Sequence, residues 1–242
     1  MDRLRVLDKG YVRLVDAMGS DLTIVNSARV SYDKQKDEMD SKDERLINFL
    51  IREGHTSPLR HASMQFEVYA PLMVARQWWK YVVGSDHTMD AWNESSRRYI
   101  SEDEQFYIPA PTEWRSAPLN SKQGSGEPLD VAMGNKFTKA LMLYVEEGET
   151  LYGHALDNHI APEQARLFLP AYGMYVRWYW TASLQSVLHF LDQRLGHDAQ
   201  AEIQDYAIAV NALTKMKFPA VHKAWQETEK HRKIQGVENH ER

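Results

Sequence analysis

Residues 75–81 read ARQWWKY, and residues 93–99 read NESSRRY. The first run has the apolar spacing of a helix until it reaches its cations. The second run places an acid, an amide, two serine hydroxyls and two guanidinium groups within seven residues. Arginine forks match phosphate oxygens, and Asn, Ser and Glu side chains can bind the edges of a ring. The two runs therefore predict a site for an anionic, hydrogen-bonding ligand such as a nucleotide.

The segments before the first run alternate between helix and strand patterns. Residues 41–44 have the pattern of a capping box, and the apolar spacing that follows predicts a helix ending at Gly54. From residue 62 to residue 69, apolar and polar side chains alternate, which is typical of a half-buried strand. Pro71 suits the first turn of the helix that carries the first run.

The rest of the chain is mainly helical in pattern. Near the N-terminus, residues 4–15 predict two strands around a turn, and Ser20 or Asp21 could cap a short helix. Residues 172–180 are aromatic and fit either a strand or a helix. Helices are predicted at 129–147, ending at Gly148, and at 162–169, 184–195, 199–215 and from Pro219 onward.

Composition limits the class of protein. The chain has 242 residues, of which 43% are hydrophobic and 26% charged, as in ordinary globular proteins. The net charge of −5 argues against a surface that coats nucleic acid. No apolar run approaches the roughly 20 residues that span a bilayer, and the first residues lead into no signal-like apolar core. We therefore expect a cytoplasmic protein with neither a nucleic-acid nor a membrane partner.

The sequence contains no cysteine, which excludes disulfides, thiolate metal sites and cysteine nucleophiles. No Gly-x-Gly-x-x-Gly or Gly-Lys-Ser motif is present, which argues against a Rossmann or P-loop nucleotide fold. No metal site is predicted, because the histidines show no tight metal-ligand spacing; they include His87, His154, His159, His189 and His197.

Several residues allow both a structural and a functional interpretation. His55 is either a hydrogen-bonded loop residue or a general base. Trp78, Trp79 and Trp92 form either core or a stacking surface for a ring. Arg166, Arg177 and Arg194 either form structural ion pairs with acids such as Glu163, Asp192 and Glu202, or bind an anion together with Arg76, Arg97 and Arg98.

Seven blocks of sequence, in order and with sensible gaps, resemble flavin-dependent thymidylate synthases from near the N-terminus to about Trp225. The blocks are residues 21–32, 54–58, 74–78, 93–99, 107–109, 163–170 and 197–204. One block alone would be weak, whereas the ordered set is specific. The resemblance implies an α+β fold in which helices flank a twisted mixed sheet. We expect a single domain at residues 1–230 and a disordered tail at residues 231–242.

The resemblance also implies a reaction. The family converts dUMP to dTMP, with 5,10-methylenetetrahydrofolate as carbon donor, NADPH as reductant and FAD as hydride carrier. It implies an FAD-dependent methyltransferase that forms a homotetramer with active sites at subunit interfaces. The missing cysteines fit this expectation, because the family does not attack the uracil ring with a cysteine.

Site residues follow from the resemblance by position. Arg194 matches the arginine that holds the uracil ring in its N3-ionised form, and it is the expected catalytic residue. The expected dUMP contacts are Gln77, Lys80, Glu94, Ser95, Ser96, Arg97, Arg98, Arg166 and Arg194. The expected FAD contacts are His55, Ser57, Lys80, Glu94, Ser183, Gln185 and His189.

The chain departs from the family pattern in two places. The signature Arg-His-Arg reads Lys80-Tyr81-Val82, and the gap from there to Ser96 is longer. The flavin clamp Asn-x-Arg reads Ser183-Leu184-Gln185. Lysine keeps the charge of arginine but loses its planar fork. Two alternatives therefore stay open: a flavin- and folate-dependent hydroxymethylase of pyrimidine deoxynucleotides, and an inactive nucleotide-binding homologue.

Overall fold

A computed structural model of the chain describes residues 3–83, 91–95, 105–118, 124–196 and 198–240. Its strands form one sheet in the order β1-β2-β3-β5-β4, and each neighbouring pair is antiparallel. The α+β class is confirmed. The sheet was expected to be mixed, but its described pairings are all antiparallel. The prediction was wrong because the direction of pairing depends on contacts between distant segments, which an alternating pattern does not encode. The strands are β1 (Leu4–Val6), β2 (Gly10–Met18), β3 (Ser63–Pro71), β4 (Ala91–Glu94) and β5 (Tyr175–Ser183).

Helices fill most of the remaining described chain. They are α1 (Asp21–Arg29), α2 (Ser41–Arg52), α3 (Leu72–Val83), α4 (Val131–Asp157), α5 (Pro162–Ala165), α6 (Leu184–Arg194), α7 (Ala201–Lys217) and α8 (Pro219–His240). Short 3-10 turns cover Val30–Tyr32, Ser57–His61 and Arg166–Phe168. Within the described ranges, no helix combines the length and the apolar character needed to cross a bilayer. The backbone of residues 231–240, where a disordered tail was expected, is helical.

Two helix starts differ from the sequence prediction by a residue. Helix α2 begins at Ser41, which the sequence predicted as the cap, and its cap is Asp40. The Asp40 carboxylate accepts hydrogen bonds from the backbone N–H groups of Lys42 (2.8 Å) and Asp43 (3.1 Å). The capping box therefore lies one residue earlier, because Asp40 is the extended residue before the helix. Pro71 ends β3 opposite Tyr175 instead of starting α3, since a residue without an N–H group is tolerated at a strand end.

Helix α4 passes through Gly148, where the sequence predicted that it would end. The prediction was wrong because this glycine provides space for a neighbouring segment. A β carbon at Gly148 would lie 2.8 Å from the carbonyl oxygen of Phe168 and 2.9 Å from Cδ of Pro170. At Gly134, in the same helix, a β carbon would lie only 1.8 Å from the carbonyl oxygen of Pro111. Both glycines allow a close backbone approach rather than a turn.

A cluster of buried aromatic rings joins α3 and α6 to the sheet. The Trp78 ring stacks on the Phe190 ring with a centroid distance of 4.4 Å. The same indole meets Trp178 and Trp180 edge to face, at 5.5 and 5.3 Å. Trp78 is therefore a core residue, whereas Trp79 is exposed. The cluster fixes both helices relative to the sheet.

The replacement Gly134→Ala is expected to lower the free energy of unfolding by about 1–3 kcal/mol, because the new methyl group overlaps the Pro111 carbonyl. Gly153→Ala is the matched control in the same helix. A β carbon there meets no atom within 4 Å, so this variant should gain up to about 1 kcal/mol from helix propensity. Urea unfolding followed by circular dichroism measures both changes. Equal midpoints for the two variants would contradict close packing at Gly134.

Candidate active site

Helix α3 presents two polar edges on either side of its buried residue Trp78. Gln77 and Tyr81 lie one turn apart and share one edge, because residues four apart are neighbours on a helix surface. Arg76 and Trp79, three residues apart, share the other edge. The expected site residues on this helix therefore belong to two neighbouring groups of side chains.

The first edge begins a chain of hydrogen bonds that links distant segments. Nε2 of Gln77 donates to Oε1 of Gln200 at 2.5 Å. Nε2 of Gln200 donates to Oε2 of Glu202 at 2.8 Å. Nη2 of Arg115 donates to Oε1 of Glu202 at 2.5 Å. Glu202 is buried, and both of its oxygens are bonded. This chain connects α3, the start of α7 and the loop at residues 105–118.

A cavity of about 400 Å³ lies beside this chain of hydrogen bonds. Arg115, Gln200 and Glu202 contribute to its wall. The aromatic residues Tyr107, Trp114 and Tyr172 line it as well. The first edge of α3 thus adjoins a space with both polar and aromatic walls.

Arg194 is the last residue of α6 and lies against the far end of the same edge. Its guanidinium carbon is 5.0 Å from the centroid of the Tyr81 ring. His189 lies on the same helix, with its ring centroid 5.8 Å from that of Tyr81. Nε of Arg194 is buried and has no hydrogen-bond partner within the part of the chain that the structure describes. A buried N–H group without a partner is costly, so this atom is suited to an acceptor on a ligand.

Tyr81 is a site residue that the sequence analysis treated only as a departure from the signature. Burial raises the pKa of Tyr81, and the charge and hydrogen bond of Arg194 offset part of this effect. The ring therefore stays neutral near pH 7 and offers its face to the guanidinium. The available signal was its spacing of four residues from Gln77, which places both on one helix edge. The contact with Arg194 itself depends on the packing of α6.

The second edge of α3 faces β4 across a hollow of about 360 Å³. Trp92 stacks on Trp178 at 4.6 Å and donates its indole N–H to Glu94 at 3.4 Å. The surrounding protein raises the pKa of Glu94, and the Trp92 hydrogen bond and the charge of Arg76 partly oppose this. The backbone N–H of Ser95 donates to the carbonyl of Arg177 at 2.8 Å. Strand β4, which the sequence analysis did not predict, thus positions two expected dUMP contacts.

A hydrogen bond joins the turn before β3 to α6, and these two segments carry three of the expected flavin contacts, Ser57, Gln185 and His189. Nε of Arg60, in the turn that contains Ser57, donates to Oε1 of Gln185 at 2.9 Å. His189 follows one turn later on α6 and is exposed. His55 is exposed and packs edge-on against Phe49 at 5.5 Å.

Ser183 lies at the buried start of α6. It is 2% exposed, and its hydroxyl caps the helix by accepting from the N–H of Ser186 at 3.2 Å. The structure therefore places Gln185 and His189 toward the surface and the Ser183 side chain inside the helix cap.

The remaining expected residues lie elsewhere. Lys80 is exposed on α3. Arg166 is exposed beside α4, and its Nε donates to the carbonyl oxygen of Glu163 at 3.2 Å. Arg177 approaches Oε1 of Glu67 at 3.8 Å, an acid that the sequence analysis did not suggest. Ser96, Arg97 and Arg98 lie outside the described residues, as do His87 and His197.

Comparison with known proteins identifies the family. The model of the thymidylate synthase complementing proteins matches residues 13–220. The chain belongs to this family. A flavin-dependent thymidylate synthase of Thermotoga neapolitana is 38% identical to this chain over 224 residues, which cover 92% of this chain and 94% of that one. One from Treponema denticola is 38% identical over 232 residues, covering 95% and 84% of the two chains.

The fold of this chain also resembles solved structures. Crystal structures of the UMP/dUMP methylase PolB from Streptomyces cacaoi contain 5-Br UMP or 5-Br dUMP. They superpose on this chain with TM-scores of 0.78 and 0.79, at 27% and 28% identity. Each alignment covers 93% of this chain and at least 96% of the other. The similarity therefore extends over nearly the whole fold.

The contact between Tyr81 and Arg194 is expected to contribute about 0.5–2 kcal/mol to the free energy of unfolding, as for a partly desolvated cation on an aromatic face. A double-mutant cycle with Tyr81→Leu and Arg194→Met measures this coupling from urea unfolding. Tyr81→Phe is the matched control, since it keeps the ring face and removes the hydroxyl. If the two single changes add without coupling, the contact contributes nothing.

Proposed function

We propose that this protein is a flavin-dependent methyltransferase of nucleotide biosynthesis that converts dUMP to dTMP. Methylenetetrahydrofolate supplies the carbon, and NADPH supplies the reducing equivalents. The observation that carries the proposal is the environment of Arg194. Its guanidinium lies against Tyr81, and its buried Nε has no hydrogen-bond partner among the described residues. The chain also belongs to the family of thymidylate synthase complementing proteins. Curated relatives that are 38% identical and named flavin-dependent thymidylate synthases support it.

Arg194 has the chemistry to activate a uracil ring. A fixed cation favours the ionised form of a neighbouring group, and here that group is N3 of the ring. The negative charge spreads over the ring to C5, which becomes nucleophilic toward the methylene carbon. Because Tyr81 holds the guanidinium in place, this stabilisation needs little reorganisation during the reaction. Arginine suits this role because its guanidinium stays charged throughout the working pH range.

The other proposed dUMP contacts come from several segments of the chain. We assign Gln77, Lys80, Glu94 and Ser95 to dUMP from their places on α3 and β4. Lys80 offers a charge for the phosphate, although it lacks the fork of an arginine. We also assign Ser96, Arg97, Arg98 and Arg166 to dUMP, on the basis of the family motif.

We assign FAD to the exposed polar groups on α6 and around the turn before β3. Oε1 of Gln185 is bonded to Arg60, so its amide N–H groups remain for an acceptor on a ligand. His189 is exposed on α6, and His55 is exposed two residues before the turn; we assign both, with Ser57, Lys80 and Glu94, to FAD. Ser183 contributes by capping α6 rather than through a free hydroxyl. When bound there, FAD would carry the hydride that the reaction requires.

We also propose that residues 1–230 form one domain and that the protein is a cytoplasmic homotetramer whose subunits complete one another's sites. The support is a large set of exposed apolar side chains on α4 and after it, more than single surface residues would give. Arg166 adjoins Leu167, which is 83% exposed, so a partner covering this surface would also reach that arginine. The set includes Val131, Met133, Phe137, Met142, Leu143, Tyr144, Leu151, Leu167, Phe168 and Tyr172.

Purified protein is expected to bind FAD, turn yellow and methylate dUMP when NADPH and methylenetetrahydrofolate are added. Arg194→Met should lower kcat/KM by roughly 100- to 1,000-fold, as for the loss of one preorganised electrostatic contact. Arg52→Met is the matched control, because Arg52 lies on α2, where its Nε pairs with Glu53 at the surface.

Mass spectrometry of the product from labelled dUMP separates the rival reactions. A gain of CH₂ supports the proposal, a gain of CH₂O indicates the hydroxymethylase, and no product indicates the inactive homologue. UMP is assayed in parallel because the structural relatives are UMP/dUMP methylases.

Leu143→Glu, at a position 65% exposed on α4, is expected to dissociate the tetramer, because interface formation would bury the new charge. Light scattering coupled to size exclusion measures the mass. Leu143→Met keeps the apolar surface and should remain tetrameric. A tetramer of unchanged stability in Leu143→Glu would exclude this surface as an interface.

A further inference from the structure

We propose that Glu202 is a positioning residue that determines which end of the Gln77 amide faces the nucleotide. The inference rests on the proposed function, since it takes Gln77 as a contact of dUMP. It goes further by assigning a hydrogen-bond polarity to that contact. Three side chains carry the argument: Glu202, Gln200 and Gln77.

The polarity starts at Glu202. A carboxylate paired with arginine only accepts hydrogen bonds, whereas a glutamine amide has one accepting and one donating end of nearly equal shape. Oε2 of Glu202 lies 2.8 Å from the Gln200 amide, so the amide must turn its NH₂ group toward Glu202. Oε1 of Gln200 then faces Gln77 across 2.5 Å. Arg115 occupies the other oxygen of Glu202 and holds the carboxylate in place.

The polarity is passed on to Gln77. Because Gln200 turns its oxygen to Gln77, the NH₂ group of Gln77 must face Gln200. The same nitrogen lies 3.4 Å from the carbonyl oxygen of Met73, which can accept the second N–H. Oε1 of Gln77 is then the polar atom left for a ligand, and it has no partner among the described residues. Gln77 therefore presents an acceptor to the nucleotide.

An acceptor at this position selects for a donor on the nucleotide. In dUMP the donors are the sugar 3′-hydroxyl and, as long as the ring has not been ionised beside Arg194, the ring N3–H. If a ligand presents an acceptor instead, the lone pair of its oxygen or nitrogen atom faces that of Oε1 of Gln77. The repulsion between them disfavours binding. Glu202 thus affects specificity without touching the substrate.

The test exchanges the two polar side chains. Glu202→Gln removes the group that only accepts, so both amides can turn over, and we expect dUMP to bind about tenfold more weakly. In the double variant Gln200→Glu/Glu202→Gln, the carboxylate lies directly beside Gln77 and again forces its NH₂ group inward. The double variant has the same net charge as the wild type and should recover most of the affinity. Isothermal titration with dUMP measures all three proteins.

Each outcome decides the question. Weak binding by Glu202→Gln with recovery in the double variant supports the positioning role. Wild-type affinity in Glu202→Gln overturns it. Equal weakness in both variants also overturns it, because both lack the Arg115–Glu202 ion pair and the loss would then be structural. If the wild type itself binds no dUMP, the proposed function fails, and that result is separate from the other three.

Analogues of dUMP identify the donor that Gln77 accepts. If it is the 3′-hydroxyl, 2′,3′-dideoxyuridine monophosphate binds the wild type more weakly than dUMP does, and Glu202→Gln causes no further loss with this analogue. If it is the ring N3–H, Glu202→Gln weakens binding of this analogue as much as it weakens binding of dUMP. If Glu202→Gln and the double variant both lose affinity relative to the wild type, and the loss is equal for the two ligands, the proposal is overturned.

Discussion

The stacking of Trp78 on Phe190 is the interaction on which the candidate site depends. Both rings are fully buried, with their centroids 4.4 Å apart. Trp78 contacts Trp178 and Trp180 of β5, and Phe190 contacts Trp180. Truncation of such a ring costs about 3–5 kcal/mol, so this contact is a large part of the stability of a domain. Because the stack fixes α3 against α6, groups on the two helices keep a defined separation. A site that stabilises charge on a substrate requires such fixed groups.

Two buried acids have their charges satisfied within the fold, and they contrast with Arg194. Glu67, although buried, accepts from the Tyr11 hydroxyl at 2.7 Å and from Nε of Arg13 at 2.8 Å. Glu202 is satisfied by Arg115 and Gln200. Arg194 differs from these groups, because within the described ranges its Nε is buried without an acceptor. This environment suits a group that binds a ligand better than a group that forms an ion pair within the fold.

The altered family signature changes the groups that line the site. Tyr81, at the place of the signature histidine, packs on Arg194 and Phe190 and so supports the arginine that we propose to be catalytic. The chain after α3 returns as β4, whose Trp92 extends the aromatic cluster through Trp178. The sequence identified the signature position at Tyr81 and the longer gap before Ser96 as departures from the family pattern. Their consequences depend on which rings they meet, and those rings belong to β5 and α6.

The sequence by itself determined the elements whose signals are local: the first hairpin, the helix at 41–52, the alternation in β3, the helix starting at Pro219 and the residue types of the site. Only the tertiary structure decided the role of residues whose partners are distant. Asp21, a candidate cap for its own helix, instead accepts from the N–H groups of Ala220 and Val221 at 3.0 Å. Gly148 suggested a helix end but provides space for Phe168. Hydrogen bonds within one turn and the period of apolar residues are encoded over a few positions. The partner of a buried acid and the space around a glycine are set by segments that meet only when the chain has folded.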